Sequence, residues 1–160
     1  MTKTDIYEYL TSQEIPYEVT EHKAVFNMDE LGTISLPYPE WDAKNLFVRD
    51  DKKRGYYLIT VRGNKRVDLK EFRARHGLRS LSFASDADLS AILGLIPGAV
   101  TPLGLLNDAE RRVHFYLDRE FAGQKIGVHP NDNTATVWMR AGDLMQLIRA
   151  HGNEAEWTEC

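Results

Sequence analysis

The sequence predicts an α+β fold, a single domain over residues 1–160 with a mixed, mostly antiparallel sheet flanked by helices. Its 160 residues are the usual size of one domain. Strand-like and helix-like segments are interleaved along the chain, which is typical of a mixed fold. Two of the strand-like segments are separated only by a short polar turn. Such a hairpin favours a mixed sheet over a strict βαβ repeat.

Short elements are predicted before residue 42. Thr4 is a candidate N-cap for a first helix, and residues 17–20 have the composition of a short strand. Asn27 is a candidate N-cap for a short helix over residues 28–31, and a proline-rich loop follows at residues 36–41.

A β-hairpin is predicted over residues 43–61. Side chains in its first strand alternate between two faces, with Lys44, Leu46 and Val48 on one face and Asn45, Phe47 and Arg49 on the other. A polar turn follows this strand and leads into the apolar strand at residues 56–61.

Helices, strands and one shaped loop are predicted for the rest of the chain. Asp68 and Ser85 are candidate N-caps for helices that end at Gly77 and Gly94. Residues 95–106 are apolar but are interrupted by Pro97, Gly98 and Pro102, so part of this segment must be a loop. The remaining predicted elements are strands at residues 81–83, 113–117 and 134–139 and a final helix over residues 142–150.

Composition and missing motifs exclude several classes of protein. Hydrophobic residues make up 42% and charged residues 28% of the chain, which excludes disordered and fibrous proteins. No apolar run reaches the roughly 20 residues of a membrane helix, and the N-terminus lacks the apolar core of a secretory signal. The single cysteine, Cys160, excludes an internal disulfide. We therefore expect a cytoplasmic protein without membrane contact.

Sequence motifs for several kinds of enzyme are also missing. The chain contains no glycine-rich nucleotide-binding motif, no H-E-x-x-H and no G-x-S-x-G. Its five histidines have no close ligand spacing. A nucleotide triphosphatase, a zinc hydrolase and a serine esterase are therefore disfavoured, and we expect neither a metal nor a cofactor.

Charge is distributed unevenly along the chain. Residues 44–79 hold twelve basic and four acidic side chains, a net charge of +8, whereas the other 124 residues have a net charge of −12. A local basic segment can bind phosphates even in an acidic protein, because salt screens charges beyond about 10 Å. Such a segment can equally be the solvated faces of a hairpin and a helix. The exposed part of the segment is expected at the hairpin turn, where Lys52, Lys53 and Arg54 are candidates for binding nucleic acid.

Three short segments have residue types that suit a binding or catalytic site. Lys44 and Asn45 begin a strand, and a lysine on an apolar face needs an anionic partner unless its long stem reaches solvent. The loop from Gly98 to Pro102 can direct backbone N–H groups at a developing oxyanion, although an ordinary turn has the same pattern. His129 precedes a proline, which restricts its backbone; in isolation a structural histidine explains it equally well.

Taken in order, these segments resemble the prolyl-tRNA editing-domain family (YbaK/ProX-like). The resemblance rests on K-N-L-F-V-R-D, the following hairpin strand, D-L-K, L-S-F-A-S, L-G-x-x-P-G-A-V-T-P-L-G-L-L-N-D and H-P-N. It extends from about His22 to the final helix. The family consists of freestanding aminoacyl-tRNA deacylases related to an insertion domain of bacterial prolyl-tRNA synthetases, and the chain is most similar to the branch that acts on alanyl-tRNA(Pro).

The resemblance implies roles for individual residues. Lys44 corresponds to the lysine that holds the 3′-terminal nucleotide, and Asn45 to the polar residue beside it. His129 corresponds to the histidine of the late F-H-P-like motif, which here is V-H-P. The loop that contacts the aminoacyl carbonyl region corresponds to Gly98, Ala99, Val100, Thr101 and Pro102. Lys44, Gly98 and His129 are therefore the expected catalytic residues, with Asn45 and the rest of the loop in substrate binding.

The implied reaction is hydrolysis of mischarged tRNA, with Ala-tRNA(Pro) as the expected substrate. An aminoacyl ester is already activated, so positioning, water and oxyanion donors are sufficient for cleavage. Two alternatives remain open: a deacylase for tRNA that carries cysteine, serine or threonine, and a non-catalytic module that binds RNA or a ligand on the same fold. The expected partners are tRNA and, through it, prolyl-tRNA synthetase or an elongation factor.

Overall fold

Eight strands form two sheets in the computed structural model, which describes residues 1–24 and 36–160. The strands are β1 (Tyr17–Glu21), β2 (Ala43–Asp50), β3 (Tyr56–Arg62), β4 (Leu81–Phe83), β5 (Val113–Asp118), β6 (Lys125–Val128), β7 (Ala135–Arg140) and β8 (Ala155–Thr158). The helices are α1 (Lys3–Ser12), α2 (Leu69–His76), α3 (Asp86–Asp88), which continues as a π-helix over Leu89–Leu93, and α4 (Ala141–His151). The α+β class predicted from the sequence is confirmed.

Local capping signals define most helix ends. Asp68 accepts hydrogen bonds from the N–H groups of Lys70 and Glu71 at the start of α2, and Gly77 ends that helix with a left-handed backbone. Ser85 and Asp88 form a capping box at the start of α3. The ends predicted for both helices are therefore confirmed.

The prediction for the first helix was wrong in its cap. Thr2, not Thr4, caps α1, since its hydroxyl accepts from the Asp5 N–H at 3.1 Å while the Asp5 carboxylate accepts from the Thr2 N–H at 2.8 Å. Asp5 lies three residues after Thr2, which is the spacing of a capping box. The helix predicted after Asn27 lies outside the described residues.

The larger sheet is mixed and has the strand order β4-β2-β3-β5-β8. Its antiparallel part consists of β4 and the predicted hairpin, in which Lys44 lies opposite Val61 and Asn45 lies opposite Thr60. The parallel part joins β3 to β5 and β5 to β8. Strand β8 was not predicted, because its four residues contain no periodic apolar pattern and depend on β5 for their hydrogen bonds.

The smaller sheet is antiparallel and has the order β1-β7-β6. An isolated parallel bridge between Asp42 and Gly127 joins it to the start of β2. We call the junction between the two sheets the seam. The loop that follows β6 and the segment over residues 98–102 also meet at the seam.

The larger sheet separates two apolar clusters. Phe47 and Leu58 lie on one face in the larger cluster, which also takes in the apolar sides of α1 and α4. Val48 and Val61 lie on the other face in a smaller cluster covered by Phe72 of α2. The alternation predicted for β2 is confirmed, and it places consecutive residues of β2 on opposite faces of the sheet.

Candidate functional site

The loop before Pro102 begins with a tight turn. The Ala99 N–H donates to the Ile96 carbonyl at 3.1 Å, with Pro97 and Gly98 at the two central positions. Gly98 has a φ of +87°, and proline followed by a residue with positive φ is typical of a type II turn. Glycine is therefore needed at position 98 by the backbone itself.

Thr101 connects this loop to the loop that carries His129. Its hydroxyl donates to the His129 carbonyl at 2.6 Å and accepts from the Leu103 N–H at 3.3 Å. The second bond caps a 3-10 helix that spans Pro102–Asn107. Because Thr101 is fully buried, the sequence T-P marks a structural cap here.

Asn45 connects the same loop to the larger sheet. The Thr60 hydroxyl donates to its Oδ1 at 2.7 Å, and its Nδ2 donates to the Val100 carbonyl at 3.1 Å. These two partners fix the orientation of the amide, since one is a hydroxyl donor and the other is an acceptor. The structure thus brings Asn45, residues 98–102 and His129 into one hydrogen-bonded group.

The backbone of the loop retains unused donors. The Ala99 N–H is taken by the turn, whereas the N–H groups of Gly98, Val100 and Thr101 donate to no acceptor within residues 1–24 and 36–160. The side chains of Ala99, Thr101 and Pro102 are buried. Contacts between the loop and a ligand are therefore expected through backbone groups.

His129 is an uncharged imidazole at neutral pH. Burial lowers the pKa of its ring to about 4, the neighbouring His22 lowers it further, and Asp132 opposes the shift. Its Nδ1 is buried without a hydrogen-bond partner among the described residues. The ring can therefore accept or donate a hydrogen bond with a ligand but has no positive charge of its own.

His22 is a neighbour of the site that was not recognised from the sequence. Its ring centroid lies 6.1 Å from that of His129. Its Nδ1 lies 2.8 Å from the Lys23 carbonyl and its Nε2 lies 3.0 Å from the Thr136 hydroxyl. His22 and His129 are far apart in the chain, so no sequence spacing indicates that they are neighbours. The only sequence signal for His22 was its position directly after β1.

Lys44 is not hydrogen-bonded to this group. It shares a face of β2 with Leu46 and Val48, opposite the face of Asn45, and its Nζ donates to the Lys65 carbonyl. Burial, and then the charge of Arg66, lowers the pKa of the Lys44 ammonium. The structure therefore places the two candidates Lys44 and Asn45 side by side in sequence but on different faces of the sheet.

The candidate RNA-binding residues Lys52, Lys53 and Arg54 are exposed in the turn of the hairpin. Asp50 lies six positions after Lys44 on an extended strand, a distance of about 20 Å. The turn is organised by Asp50, whose carboxylate accepts from the N–H groups of Lys52, Arg54 and Gly55. These three cations are therefore exposed but remote from the loop at residues 98–102.

Metal-ligand clusters and membrane-spanning helices are absent from the described part of the chain. Residues 1–24 and 36–160 contain no cluster of three histidine, cysteine or acidic side chains that could hold a metal ion. No helix within these same ranges combines the length and the apolarity needed to cross a membrane.

Comparison with known proteins identifies the family. The profile of the aminoacyl-tRNA editing domain matches residues 24–147, which include β2, the loop at residues 98–102 and His129. The chain belongs to the aminoacyl-tRNA editing domain family. This agrees with the family that the sequence motifs resemble.

Relatives of this editing domain are similar over nearly their whole length. The prolyl-tRNA editing protein ProX of Acetoanaerobium sticklandii is 37% identical over 152 residues, which cover 94% of this chain and 93% of that protein. Prolyl-tRNA synthetase associated domain-containing protein 1 of Bos taurus is 32% identical over 150 residues, with coverage of 91% and 87%.

A solved structure shares the fold of this editing domain. The crystal structure of a candidate trans-editing enzyme for prolyl tRNA synthetase superposes with a TM-score of 0.72 at 19% identity and covers 99% of this chain and 96% of that one. The arrangement of two sheets and their flanking helices is therefore common to both proteins.

Proposed function

We propose that this editing domain is a trans-acting aminoacyl-tRNA deacylase and that its main substrate is Ala-tRNA(Pro). The observation that carries the proposal is the hydrogen-bonded group formed by Asn45, residues 98–102 and His129, with unused N–H groups on the loop. The similarity to ProX, a prolyl-tRNA editing protein by name, supports the choice of tRNA(Pro). In this proposal all of residues 1–160 act as one deacylase domain in the cytoplasm.

The proposed reaction needs no protein nucleophile. Water attacks the aminoacyl carbonyl carbon, the bond from that carbon to the ribose oxygen breaks, and the ribose oxygen takes a proton. The products are free alanine and tRNA with an intact 3′ end. The N–H groups of Gly98, Val100 and Thr101 are the candidate donors to the oxyanion, because fixed dipoles in a dry site stabilise developing charge without reorganisation.

His129 and Lys44 have different proposed roles. An imidazole with a pKa of about 4 is a weak base at neutral pH, so His129 is assigned to orienting the ester or the water by hydrogen bonding. Lys44 is assigned to a phosphate of the 3′-terminal nucleotide. To bind it, the ammonium exchanges its bond with the Lys65 carbonyl for a charge-assisted one.

The proposal is tested by release of radiolabelled alanine from Ala-tRNA(Pro), with Pro-tRNA(Pro) as the matched control that carries the same tRNA. We expect turnover of the first and little turnover of the second. Release of cysteine, serine or threonine in preference to alanine would assign the second candidate activity. Binding of every charged tRNA without release would instead show a non-catalytic module.

The same assay addresses the expected protein partners. If the chain alone discriminates tRNA(Pro) from other alanine-charged tRNAs, recognition resides in its own surface. If discrimination appears only after prolyl-tRNA synthetase or an elongation factor is added, the partner supplies it.

A further inference from the structure

Ion pairing divides the basic segment over residues 44–79 into two groups. Five of its twelve basic side chains pair with carboxylates within 4 Å: Arg49, Arg62, Lys65, Arg75 and Arg79. Within the described part of the chain, the other basic residues of the segment have no such pair. The charge available for a partner is therefore concentrated in fewer places than the sequence indicates.

One of these places is the solvent side of α2. Phe72 fixes the inner side of the helix in the smaller cluster, so Lys70 and Arg73 lie together on the outer side at i and i+3 spacing. They line a surface groove of about 460 Å³ with Ala74, Gly77, Leu78 and Ser80. None of these six lining residues is acidic.

The groove lies between two other groups of cations. At the N-terminal end of α2, Arg66 is exposed and close enough to Lys44 to lower the pKa of its ammonium. At the C-terminal end, Arg79 pairs with Asp51 at 2.5 Å, which places the groove next to the hairpin turn. Cations therefore follow the helix from the Lys44 end of β2 to its other end, a distance of about 20 Å.

We infer that this path is a docking surface for the phosphate backbone of the tRNA substrate. We define the basic track as Arg66, Lys70 and Arg73, with Lys44 at one end and Lys52, Lys53 and Arg54 at the other. The inference rests on the proposed function for the identity of the RNA. In this arrangement the 3′-terminal nucleotide of the tRNA lies beside Lys44. The base-paired part of the acceptor arm extends along α2 toward the hairpin turn.

RNA fits the basic track better than an acidic polypeptide does. Two cations and no carboxylate line the groove, and three of the other lining residues are small. At one of them, Gly77, an added Cβ would meet no atom within 4 Å, so the surface there is open. A duplex backbone presents evenly spaced charges along such a track. The lining contains no aromatic residue and only one large aliphatic residue, Leu78, so the groove offers few anchors for a protein partner.

The test compares two double variants with the same change in net charge. Lys70→Gln with Arg73→Gln removes the centre of the basic track, and Arg140→Gln with Arg149→Gln removes two exposed cations beside α4, on the other side of the larger sheet. Binding of uncharged tRNA is measured against salt concentration, and hydrolysis is measured on both full-length Ala-tRNA(Pro) and alanyl-CCA trinucleotide. Circular dichroism checks that each variant is folded.

We expect the α2 variant to bind tRNA roughly tenfold more weakly and to lose about 1 from the salt slope for each missing contact. It should hydrolyse the trinucleotide ester as the wild type does, and the α4 variant should resemble the wild type in every measurement. Unchanged affinity and slope in the α2 variant, or an equal loss in both variants, would overturn the inference.

Two further outcomes separate this inference from the proposed function. If the wild type hydrolyses no ester but the α2 variant still loses tRNA affinity, the deacylase assignment fails and the basic track stands. Displacement of tRNA by polyglutamate at an equal charge concentration would show that the groove prefers an acidic polypeptide, and the assignment to RNA would be wrong.

Discussion

At the scale of single residues, the structure changes the interpretation of Thr101. The family resemblance placed Thr101 in the loop that contacts the aminoacyl carbonyl region and gave its hydroxyl no separate role. In the structure the hydroxyl is buried and bonds both the His129 carbonyl and the Leu103 N–H. A loss of activity on its removal is therefore explained by displacement of the loop, without any part for the hydroxyl in the reaction.

Thr101→Ala should lower the free energy of unfolding by about 1–2 kcal/mol, because it removes an N-cap and a buried hydrogen bond. Thr101→Ser keeps both bonds and should lose less than half of that amount. Urea denaturation measures the two variants beside the wild type. Equal losses for alanine and serine would show that the methyl group, and not the hydroxyl, stabilises the loop.

Lys44→Ala should reduce kcat/KM for Ala-tRNA(Pro) by one to two decades while the fold stays intact. The reason is that a charge-assisted hydrogen bond contributes roughly 1.5–3 kcal/mol, and about 1.4 kcal/mol corresponds to one decade in rate. Lys23→Ala is the control, since Lys23 is an exposed lysine beside His22. Wild-type kinetics in Lys44→Ala would remove Lys44 from the mechanism.

Asp42 should make stability depend on pH. The residue is 4% exposed, and burial raises the pKa of its carboxyl to about 7 from the ordinary 3.8. Between pH 4 and pH 7 the Asp42 carboxyl is ionised in the unfolded chain but protonated in the folded chain. The free energy of unfolding therefore falls as pH rises through this range. Above pH 7 the carboxyl is ionised in both states, so its unfavourable contribution to the free energy of unfolding no longer changes with pH.

We expect Asp42→Asn to gain stability over the wild type progressively from pH 4 to pH 7, up to a few kcal/mol, because each pKa unit corresponds to about 1.4 kcal/mol. The quantity to measure by urea denaturation is the difference in the free energy of unfolding between the variant and the wild type.

His129 is present in both proteins, so its effect cancels in this difference. Its pKa is lowered, and it acts in the opposite direction to Asp42, since it favours unfolding as pH falls from about 6.5 to 4. Parallel pH profiles for the two proteins would contradict the assignment to Asp42.

At the scale of elements, the sequence predicted those features whose signals are local. The ends of α2 and α3 follow from Asp68, Gly77, Ser85 and Gly94, and the hairpin follows from alternation and a polar turn. The parallel pairing of β3 with β5 depends on residues that are distant in the chain, and no local pattern encodes it. Strand β6 was not predicted because it has only four residues, although its antiparallel partner β7 is the next strand along the chain.

In the candidate site too, the sequence predicted the local features but not the contacts between distant segments. Alternation along β2 implied that Lys44 and Asn45 lie on opposite faces, and the proline and glycine pattern implied a shaped loop. The bond from Thr101 to the His129 carbonyl and the approach of His22 join distant segments across the seam. Such contacts depend on how the two sheets are placed, which local patterns do not determine.

Gly98→Ala should disturb the site through the type II turn. A φ of +87° costs a residue with a Cβ about 1 kcal/mol or more, and relief of that strain would move the neighbouring N–H groups. We expect a small loss of stability and a loss of kcat of roughly tenfold or more, since oxyanion donors act only when well placed.

Gly123→Ala is the matched control for this prediction. Gly123 has a φ of +75° and no atom within 4 Å of a Cβ, so it carries similar backbone strain away from the loop. Thermal denaturation and alanine release are measured for both variants. Equal stability losses with equal activity losses would show that strain alone, and not the placement of the loop, lowers the rate.

At the scale of the whole molecule, charge is distributed unevenly. The overall charge is −4, yet the unpaired cations of the segment over residues 44–79 lie along α2 and in the hairpin turn. An acidic remainder repels RNA from other surfaces. The charge distribution therefore limits the orientations in which a nucleic acid can approach.

Reversal of Lys52, Lys53 and Arg54 to glutamate should raise KM for full-length tRNA and flatten its dependence on salt, because phosphate contacts act through counterion release. The rate at saturating substrate should stay nearly unchanged, since the turn lies about 20 Å from Lys44. Steady-state kinetics at several salt concentrations make the comparison. A fall in kcat with unchanged KM would place the turn in the chemistry instead.

The seam between the two sheets also determines how firmly the site is assembled. His129 follows a strand of one sheet, Asn45 belongs to the other, and the bridge from Asp42 to Gly127 joins them. Both sheets also contribute side chains to the larger apolar cluster. The relative position of His129 and Asn45 is therefore expected to depend on this shared packing as much as on the hydrogen bonds within each sheet.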